Sequence, residues 1–260
     1  MSCTSDVRRD RVRDPYACGG KSAVALRRTQ LAMKVCASSR SFARQFDAGR
    51  LTQLEWIDVV CEQALDGVDL STEHFPRRDD DYLAQVKKLC VDRGLTIAGV
   101  NTNVDFGAGV IDPQIDTLRA ATDVAAAIGA PIARFDCGAA QGSPGVAWRE
   151  LVRGLKSICD HAKRRNVTMA LAPKSGALVA TEADVKRALK ECDSAWLRLA
   201  VPATPDWELF ARDAVIMVAP PQGFDMAAAL RFRGFISLEN DAGGDDVEHL
   251  RRWVGSLFVS

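Results

Sequence analysis

The sequence lacks an apolar run that approaches the roughly 18 residues needed to cross a membrane. Its first residues also lack the apolar core of a secretory signal peptide. These two absences argue against a membrane-spanning protein and against export through such a signal. The sequence therefore predicts a cytoplasmic protein without a membrane partner.

Motifs with a fixed catalytic spacing are also missing. Only three histidines occur in 260 residues, and neither an HExxH motif nor a Ser-His-Asp order is present. The eight cysteines contain no CxxC pair and are scattered through predicted helices and strands. A disulfide-dense scaffold is normally much shorter than this chain, so we expect these cysteines to be reduced and mostly buried.

Excess charge of either sign is absent from the chain as a whole, which has 34 basic and 34 acidic residues. Residues 1–32 contain seven Lys/Arg and three Asp/Glu, which leaves 27 basic against 31 acidic residues in the remainder. That remainder therefore has a net charge of about −4. A basic groove for nucleic acid is not indicated.

Residues 1–32 form an N-terminal extension with mixed charges, a Gly-Gly pair and no sustained hydrophobic period. A flexible tail is the favoured interpretation of this composition. The second interpretation is that the start codon has been assigned too early, because Met33 opens a segment typical of a first strand. A transit peptide is disfavoured, since Asp6, Asp10 and Asp14 break the acid-poor pattern of such peptides.

From residue 33 onward, short apolar runs alternate with amphipathic stretches in eight pairs. The β-branched content and brevity of the runs are typical of buried parallel strands. The predicted strands span residues 33–37, 67–71, 95–100, 131–135, 167–171, 196–201, 214–218 and 235–239. Eight strand–helix pairs in a chain of this length predict a single-domain (β/α)8 TIM barrel over residues 33–260.

Helix-start signals support this alternation. Thr52 with Glu55, and Thr181 with Asp184, have the spacing of capping boxes. Pro113 suits a first helical turn ahead of a long apolar stripe. The helices after strands six and seven are predicted to be short.

In a closed parallel barrel, the carboxyl ends of all strands meet at one mouth, where function is expected. The sequence places polar or unusual residues at most of these ends. They are Ser38 to Ser41, Glu73 and His74, Asn101 to Asp105, Asp136 and Cys137, Lys174, Pro202, Pro220 and Glu239.

Four segments, in order, resemble the sugar phosphate isomerase/epimerase family of xylose isomerase-like barrels. Shared features are a Gly-Val-acidic second strand, a His-Phe-Pro turn and a glutamate that ends strand eight. The segments are LTQLEWIDVVCEQALDGVDLSTEHFP, YLAQVKKLCVDRGLTIAGVNTNVDFG, AAAIGAPIARFDCG and FRGFISLENDAGGD. The resemblance implies a barrel that acts on carbohydrate-like molecules through a divalent cation.

The resemblance also implies four metal ligands, namely Glu, Asp, His and Glu at the ends of strands five to eight. This chain has Ala172, the Val201-Pro202 pair, Val218 and Glu239 at those places. Only Glu239 matches, and a lone carboxylate does not hold a hard divalent cation selectively. We therefore expect no metal and no other cofactor.

Glu239 is then the candidate base, and Lys174 is its candidate partner at the same mouth. An ammonium near that carboxylate would partly replace the lost metal charge and help shuttle a proton. The alternatives for Lys174 are a solvated loop lysine, or less readily a Schiff base with a carbonyl ligand.

Four further residues are candidates for ligand binding, each with a structural alternative. His74 contacts ligand or caps a turn, and Arg134 holds an anionic group or pairs with Asp69. Asn103 and Asp105 line the mouth or form turns.

Two functions remain open from the sequence. The first is a metal-independent relative of the isomerases and epimerases that acts on a small polyol or oxo compound by proton transfer or elimination. The second is an inactive barrel that binds a ligand or a partner protein. A related abasic-site endonuclease is excluded, because it needs more histidines than this chain has. Since family members often dimerise, a homodimer is an open alternative.

Overall fold

The computed structural model describes residues 34–108, 111–139, 143–220, 231–240 and 247–257. Eight parallel strands close into a barrel in chain order. They are β1 (Lys34–Ser38), β2 (Gly67–Ser71), β3 (Thr96–Thr102), β4 (Ile132–Phe135), β5 (Thr168–Leu171), β6 (Leu197–Pro202), β7 (Ala214–Ala219) and β8 (Phe235–Leu238). The predicted (β/α)8 fold is confirmed, and each strand lies within two residues of its predicted position.

Helices follow most strands and pack outside the barrel. In the described residues they are α1 (Ala43–Asp47), α2 (Gln53–Glu62), α3 (Asp80–Asp92), α4 (Asp112–Ile128), α5 (Pro144–Arg165), α6 (Glu182–Cys192) and α7 (Val247–Leu257). A 3-10 helix over Pro205–Phe210 follows β6, in agreement with the short helix predicted there. The short helix predicted after β7 falls on residues 221–230, which lie outside the described residues, as does the N-terminal extension.

The predicted capping signals fix the starts of two helices. Thr52 accepts a hydrogen bond from the Glu55 backbone N–H, and the Glu55 carboxylate accepts one from the Thr52 N–H, so α2 begins with a complete capping box. Thr181 and Asp184 repeat this arrangement ahead of α6. Gly129 ends α4 in the left-handed conformation, with φ of 81°, which glycine adopts without strain.

The core has two parts because alternate side chains of each strand point inward and outward. The larger part packs strands against helices. The smaller part comprises Ile132, Ala170, Ala200 and Ile216, on four successive strands. The residues two positions further along β4 to β7 share the inward face, and they reach the mouth of the barrel.

The described cysteines largely agree with the prediction of buried thiols. Five are free and buried, namely Cys36, Cys90, Cys137, Cys159 and Cys192. Cys61 is disulfide-bonded, so the expectation of a reduced thiol is wrong at that position. Among the described residues, no helix combines the length and apolar character needed to cross a membrane.

Candidate ligand site at the mouth of the barrel

A cavity of about 350 Å³ opens at the carboxyl ends of the strands. Its wall joins residues from β1, β4, β5, β6, β7 and β8, as a barrel mouth requires. The lining residues are Arg40, Arg134, Asp136, Ala172, Pro173, Lys174, Ala200, Pro202, Val218, Pro220, Glu239 and Asn240.

Arg134 joins three strands across the barrel interior. Its Nη2 donates a hydrogen bond to Asp69 Oδ2 at 2.9 Å, and its Nη1 donates to Glu239 Oε1 at 3.2 Å. A second, closer contact links Nη2 to Glu239 Oε2. Because β2, β4 and the residue after β8 are not neighbours in the sheet, this clamp lies inside the barrel. We call Asp69, Arg134 and Glu239 the arginine clamp.

Asp69 is held by more than the arginine. Its Oδ2 also accepts a hydrogen bond from Ser237 Oγ at 2.8 Å, and its Oδ1 accepts one from Asn101 Nδ2 at 3.1 Å. All of these side chains are buried. Buried charges are tolerated only when they are paired and hydrogen-bonded, and Asp69 meets both conditions. The structural alternative for Arg134, an ion pair with Asp69, is therefore observed.

The clamp keeps Glu239 ionised although it is only 3% exposed. Burial by itself would raise the pKa of this carboxyl group. The charge of Arg134, its hydrogen bonds and the charge of Arg40 outweigh burial and lower the pKa of Glu239 to about 2. A carboxylate held at so low a pKa is a weak proton acceptor at neutral pH.

Arg40 is a functional candidate that sequence reasoning missed. It follows β1, lines the cavity and places Nη1 3.8 Å from Glu239 Oε1. Its Nη2 donates a hydrogen bond to Asn103 Oδ1 at 2.8 Å, and Asn103 in turn donates to Glu73. Its position after a strand end was the available signal, but the reach of the side chain was not visible in sequence.

Lys174 lies on the same cavity as Glu239 but does not act as its ion-pair partner. Within the described residues, the ion pairs of the Glu239 carboxylate are with Arg134 and Arg40. Lys174 is exposed on the loop after β5, where its backbone N–H donates to the Val179 carbonyl. The expected Lys174–Glu239 pair is therefore replaced by an arginine pair.

His74 is packed rather than directed into the cavity. Its ring stacks on Phe46 with centroids 4.0 Å apart, and its Nδ1 lies 3.1 Å from Ser39 Oγ. Burial, opposed in part by Asp47, lowers the pKa of His74 to about 4, so the ring is neutral at pH 7. These contacts pack His74 against Phe46 and Ser39 and are not the turn cap that was its structural alternative, so its ligand contact stays a prediction.

Asn103 and Asp105 differ in their relation to the cavity. Asn103 acts through Arg40, which it holds in place. Asp105 accepts a hydrogen bond from the Gly107 N–H at 2.9 Å, while its own N–H donates to Gln114 Oε1 at 2.9 Å. Asp105 therefore has the contacts of a turn former.

The opposite wall of the cavity is apolar. Ala172, Pro202 and Val218 stand at the ends of β5, β6 and β7, and they offer no side-chain oxygen or nitrogen. No cluster of three or more His, Cys, Asp or Glu side chains suited to a metal ion occurs in the described part of the chain. Since both Glu239 oxygens contact Arg134, these residues do not fit the divalent cation that the sequence resemblance implies.

The chain belongs to the xylose isomerase-like TIM barrel family, whose model matches residues 57–201. No protein of curated function matches it in sequence.

Solved structures of this class share the fold. One is the probable 3-DHS dehydratase AsbF from Bacillus anthracis, 14% identical with a TM-score of 0.71, which covers 86% of this chain and 98% of that one. Another is the 3-keto-D-glucoside 4-epimerase YcjR from E. coli, which is 13% identical with a TM-score of 0.70. The match covers 86% of this chain and 98% of that chain. A third is a D-psicose 3-epimerase from Clostridium cellulolyticum H10, which is 11% identical with a TM-score of 0.68. The match covers 86% of this chain and 96% of that chain. Identities this low establish the shared fold alone.

Proposed function

We propose that this barrel binds a small organic molecule in the cavity at its mouth and does so without a divalent cation. The observation that carries the proposal is the arginine clamp. Arg134 places a permanent positive charge against Glu239 and Asp69 inside the barrel. A guanidinium in this position neutralises the carboxylates that would otherwise attract a metal ion, and it repels a second cation.

The same clamp favours binding over catalysis. A general base near neutral pH works best when its pKa lies close to the working pH. The low pKa of Glu239 and its two arginine neighbours leave it charged and engaged instead. The residues thus support the second of the two functions that the sequence left open, a barrel that keeps its ligand cavity without the family's chemistry.

Metal-independent proton transfer or elimination on a small polyol or oxo compound is the second candidate. It is favoured by one observation, the presence of Lys174 and Glu239 on the same cavity. Similar folds are named as epimerases and as a probable dehydratase, which are enzymes of these reaction types. Location in the cytoplasm and assembly into a homodimer stay predictions from sequence.

The proposal is tested on protein freed of metal with a chelator and divided into two portions, one supplied with manganese. Ligand-detected NMR is recorded on both with a panel of polyols, oxo acids and simple carboxylic acids. We expect the same ligands to bind both portions, and elemental mass spectrometry to find manganese well below one equivalent. Manganese near one equivalent, with binding that depends on it, would overturn the proposal.

The choice between binding and catalysis is made with Glu239→Gln, because the amide is nearly isosteric but does not act as a base. Glu248→Gln, at an exposed position of helix α7, is the matched control. We expect no turnover of any bound compound in either protein or in wild type. Turnover by wild type that is lost only in Glu239→Gln would establish the second candidate.

A further inference from the structure

The cavity has two unlike walls, and their difference indicates what kind of molecule fits. Charged side chains come from the ends of β8, β1 and β4, and Lys174 adds one from the loop after β5. The side formed by β5, β6 and β7 presents alanine, proline and valine. We propose that the ligand is a small monocarboxylic acid with a compact apolar body, aliphatic or aromatic, and not a polyol. This inference rests on the proposed function and deepens it.

Arg40 is the group that receives the carboxylate. Among the hydrogen bonds of the described residues, its guanidinium uses only Nη2, which donates to Asn103. Nε and Nη1 therefore keep donor capacity on a side chain that is 23% exposed and lines the cavity. Arginine binds carboxylates through two parallel N–H donors, and a pre-positioned guanidinium loses little freedom when it does so.

The carboxylate nearest Arg40 is already engaged by another cation. Glu239 lies 3.8 Å from Arg40 Nη1, but both of its oxygens already contact Arg134. Lys174 adds a second cation to the rim of the same cavity.

Asp136 restricts the ligand to one carboxylate. Its side chain lines the cavity and accepts a hydrogen bond from the Gly138 N–H at 3.1 Å. A second carboxylate on the ligand would meet this negative charge. A dicarboxylic acid is thus disfavoured by like-charge repulsion, whereas a single carboxylate is bound by Arg40.

The apolar wall argues against a polyol. Ala172, Ala200 and Val218 have no hydrogen-bonding side-chain atoms, and the three prolines also lack a backbone N–H. Hydroxyl groups that leave water for such a wall lose hydrogen bonds without replacement. A methyl, isopropyl or phenyl group gains from the same burial, and a volume near 350 Å³ suits a small ligand.

The test compares three probes by isothermal titration calorimetry, namely 4-methylpentanoate, the corresponding alcohol 4-methyl-1-pentanol, and D-fructose. The first two share an apolar body and differ only in the carboxylate. We expect 4-methylpentanoate to bind at least about tenfold more tightly than either other probe, which corresponds to the loss of one well-formed charged contact. Repeating the titration with benzoate establishes whether an aromatic body is also accepted.

Three variants test how the charged wall and the apolar wall contribute to binding of 4-methylpentanoate. Arg40→Met should weaken 4-methylpentanoate binding by at least about tenfold, and Arg40→Lys should recover part of the loss because it keeps the charge. Val218→Thr keeps the side-chain shape but adds a hydroxyl to the apolar wall, so it should also weaken the acid. Arg44→Met, an exposed arginine on α1 that does not line the cavity, is the matched control and should bind as wild type does.

The outcomes separate this inference from the proposed function. Binding of D-fructose in preference to the acid overturns the inference and leaves the proposed function standing. Equal loss in Arg40→Met and Arg44→Met also overturns it. If no probe, and no member of the wider panel, binds wild-type protein, the proposed function falls together with the inference.

Discussion

The two sides of the barrel interior are stabilised in different ways. On one side, the arginine clamp links β2, β4 and the end of β8 through buried charges that satisfy one another. On the other, Ala170, Ala200 and Ile216 continue the apolar column that ends in the apolar wall of the cavity. The charged side depends on each partner being present, while the apolar side depends on volume and shape. One closed sheet thus accommodates both.

The largest effect is expected from removing the centre of the charged side. Arg134→Met would leave Asp69 and Glu239 buried without their cation, at a cost of roughly 3–5 kcal/mol in the free energy of unfolding. Denaturation by urea measures this loss. Arg153→Met is the control, because its side chain is 50% exposed and its ion pairs contribute little. Similar losses in both variants would mean that the clamp is not a special feature of the interior.

A smaller effect is expected from Glu239→Gln, which removes one of the two anions and keeps the side-chain shape. Arg134 retains its pair with Asp69. The lost charge-assisted hydrogen bonds should lower the free energy of unfolding by about 1.5–3 kcal/mol. The same denaturation series checks this value, and an increase in stability would show that burying this carboxylate costs more than its pair contributes.

The difference in unfolding free energy between wild type and Glu239→Gln should depend on pH in a direction that the pKa of Glu239 fixes. The pKa of Glu239 falls from 4.5 to about 2 on folding, so its stabilising contribution is present above pH 4.5. The contribution declines as the pH falls toward 2. Wild type and Glu239→Gln should therefore converge in stability over this interval. A constant difference from pH 7 to pH 2 would contradict the assignment of the low pKa.

His74 combines features of the charged and apolar sides, since it is a titratable group that is uncharged at pH 7, half-buried and stacked on an aromatic ring. Because its pKa is lowered from 6.5 to about 4, the unfolded chain binds the extra proton first as the pH falls. Wild-type stability should decrease from pH 6.5 to 4, and His74→Gln should show a weaker dependence there. Thermal unfolding at a series of pH values measures the difference, and parallel curves would contradict it.

The smallest effect is expected at Lys174, which is exposed at the rim where the two walls meet. Lys174→Met should change the free energy of unfolding by less than about 0.5 kcal/mol, as is usual for exposed positions. The denaturation midpoint is the measurement. A clear loss of stability would restore a structural partnership between Lys174 and the interior carboxylates.

The fold was predictable because its signals are local. Alternating apolar runs defined the strands, and the pairs Thr52–Glu55 and Thr181–Asp184 marked two helix starts. The interior was predictable only in part. The pairing of Arg134 with Asp69 was one of two alternatives, whereas its contact with Glu239 joins residues 105 positions apart. No local pattern encodes such a distance.

Arg40 also shows a limit on prediction from sequence, because its position was visible but its contacts were not. Its position after β1 was visible, but its role depends on the 3-10 turn over Ser39–Phe42 and on the side chain of Asn103. Lys174 occupied an equally suggestive position at a strand end. Sequence offered no means to choose between them, because long side chains at a common mouth reach several partners.

The arginine clamp also bears on how readily this barrel could change function during evolution. Replacing Ala172 with glutamate would restore one expected ligand, yet an incoming divalent cation would still meet the guanidinium of Arg134. Replacing Arg134 first would strand two buried carboxylates before any metal ligand had been regained. Each single step toward a metal site is unfavourable until the others are complete, so under the proposed metal-free function the clamp makes that function difficult to exchange for metal chemistry.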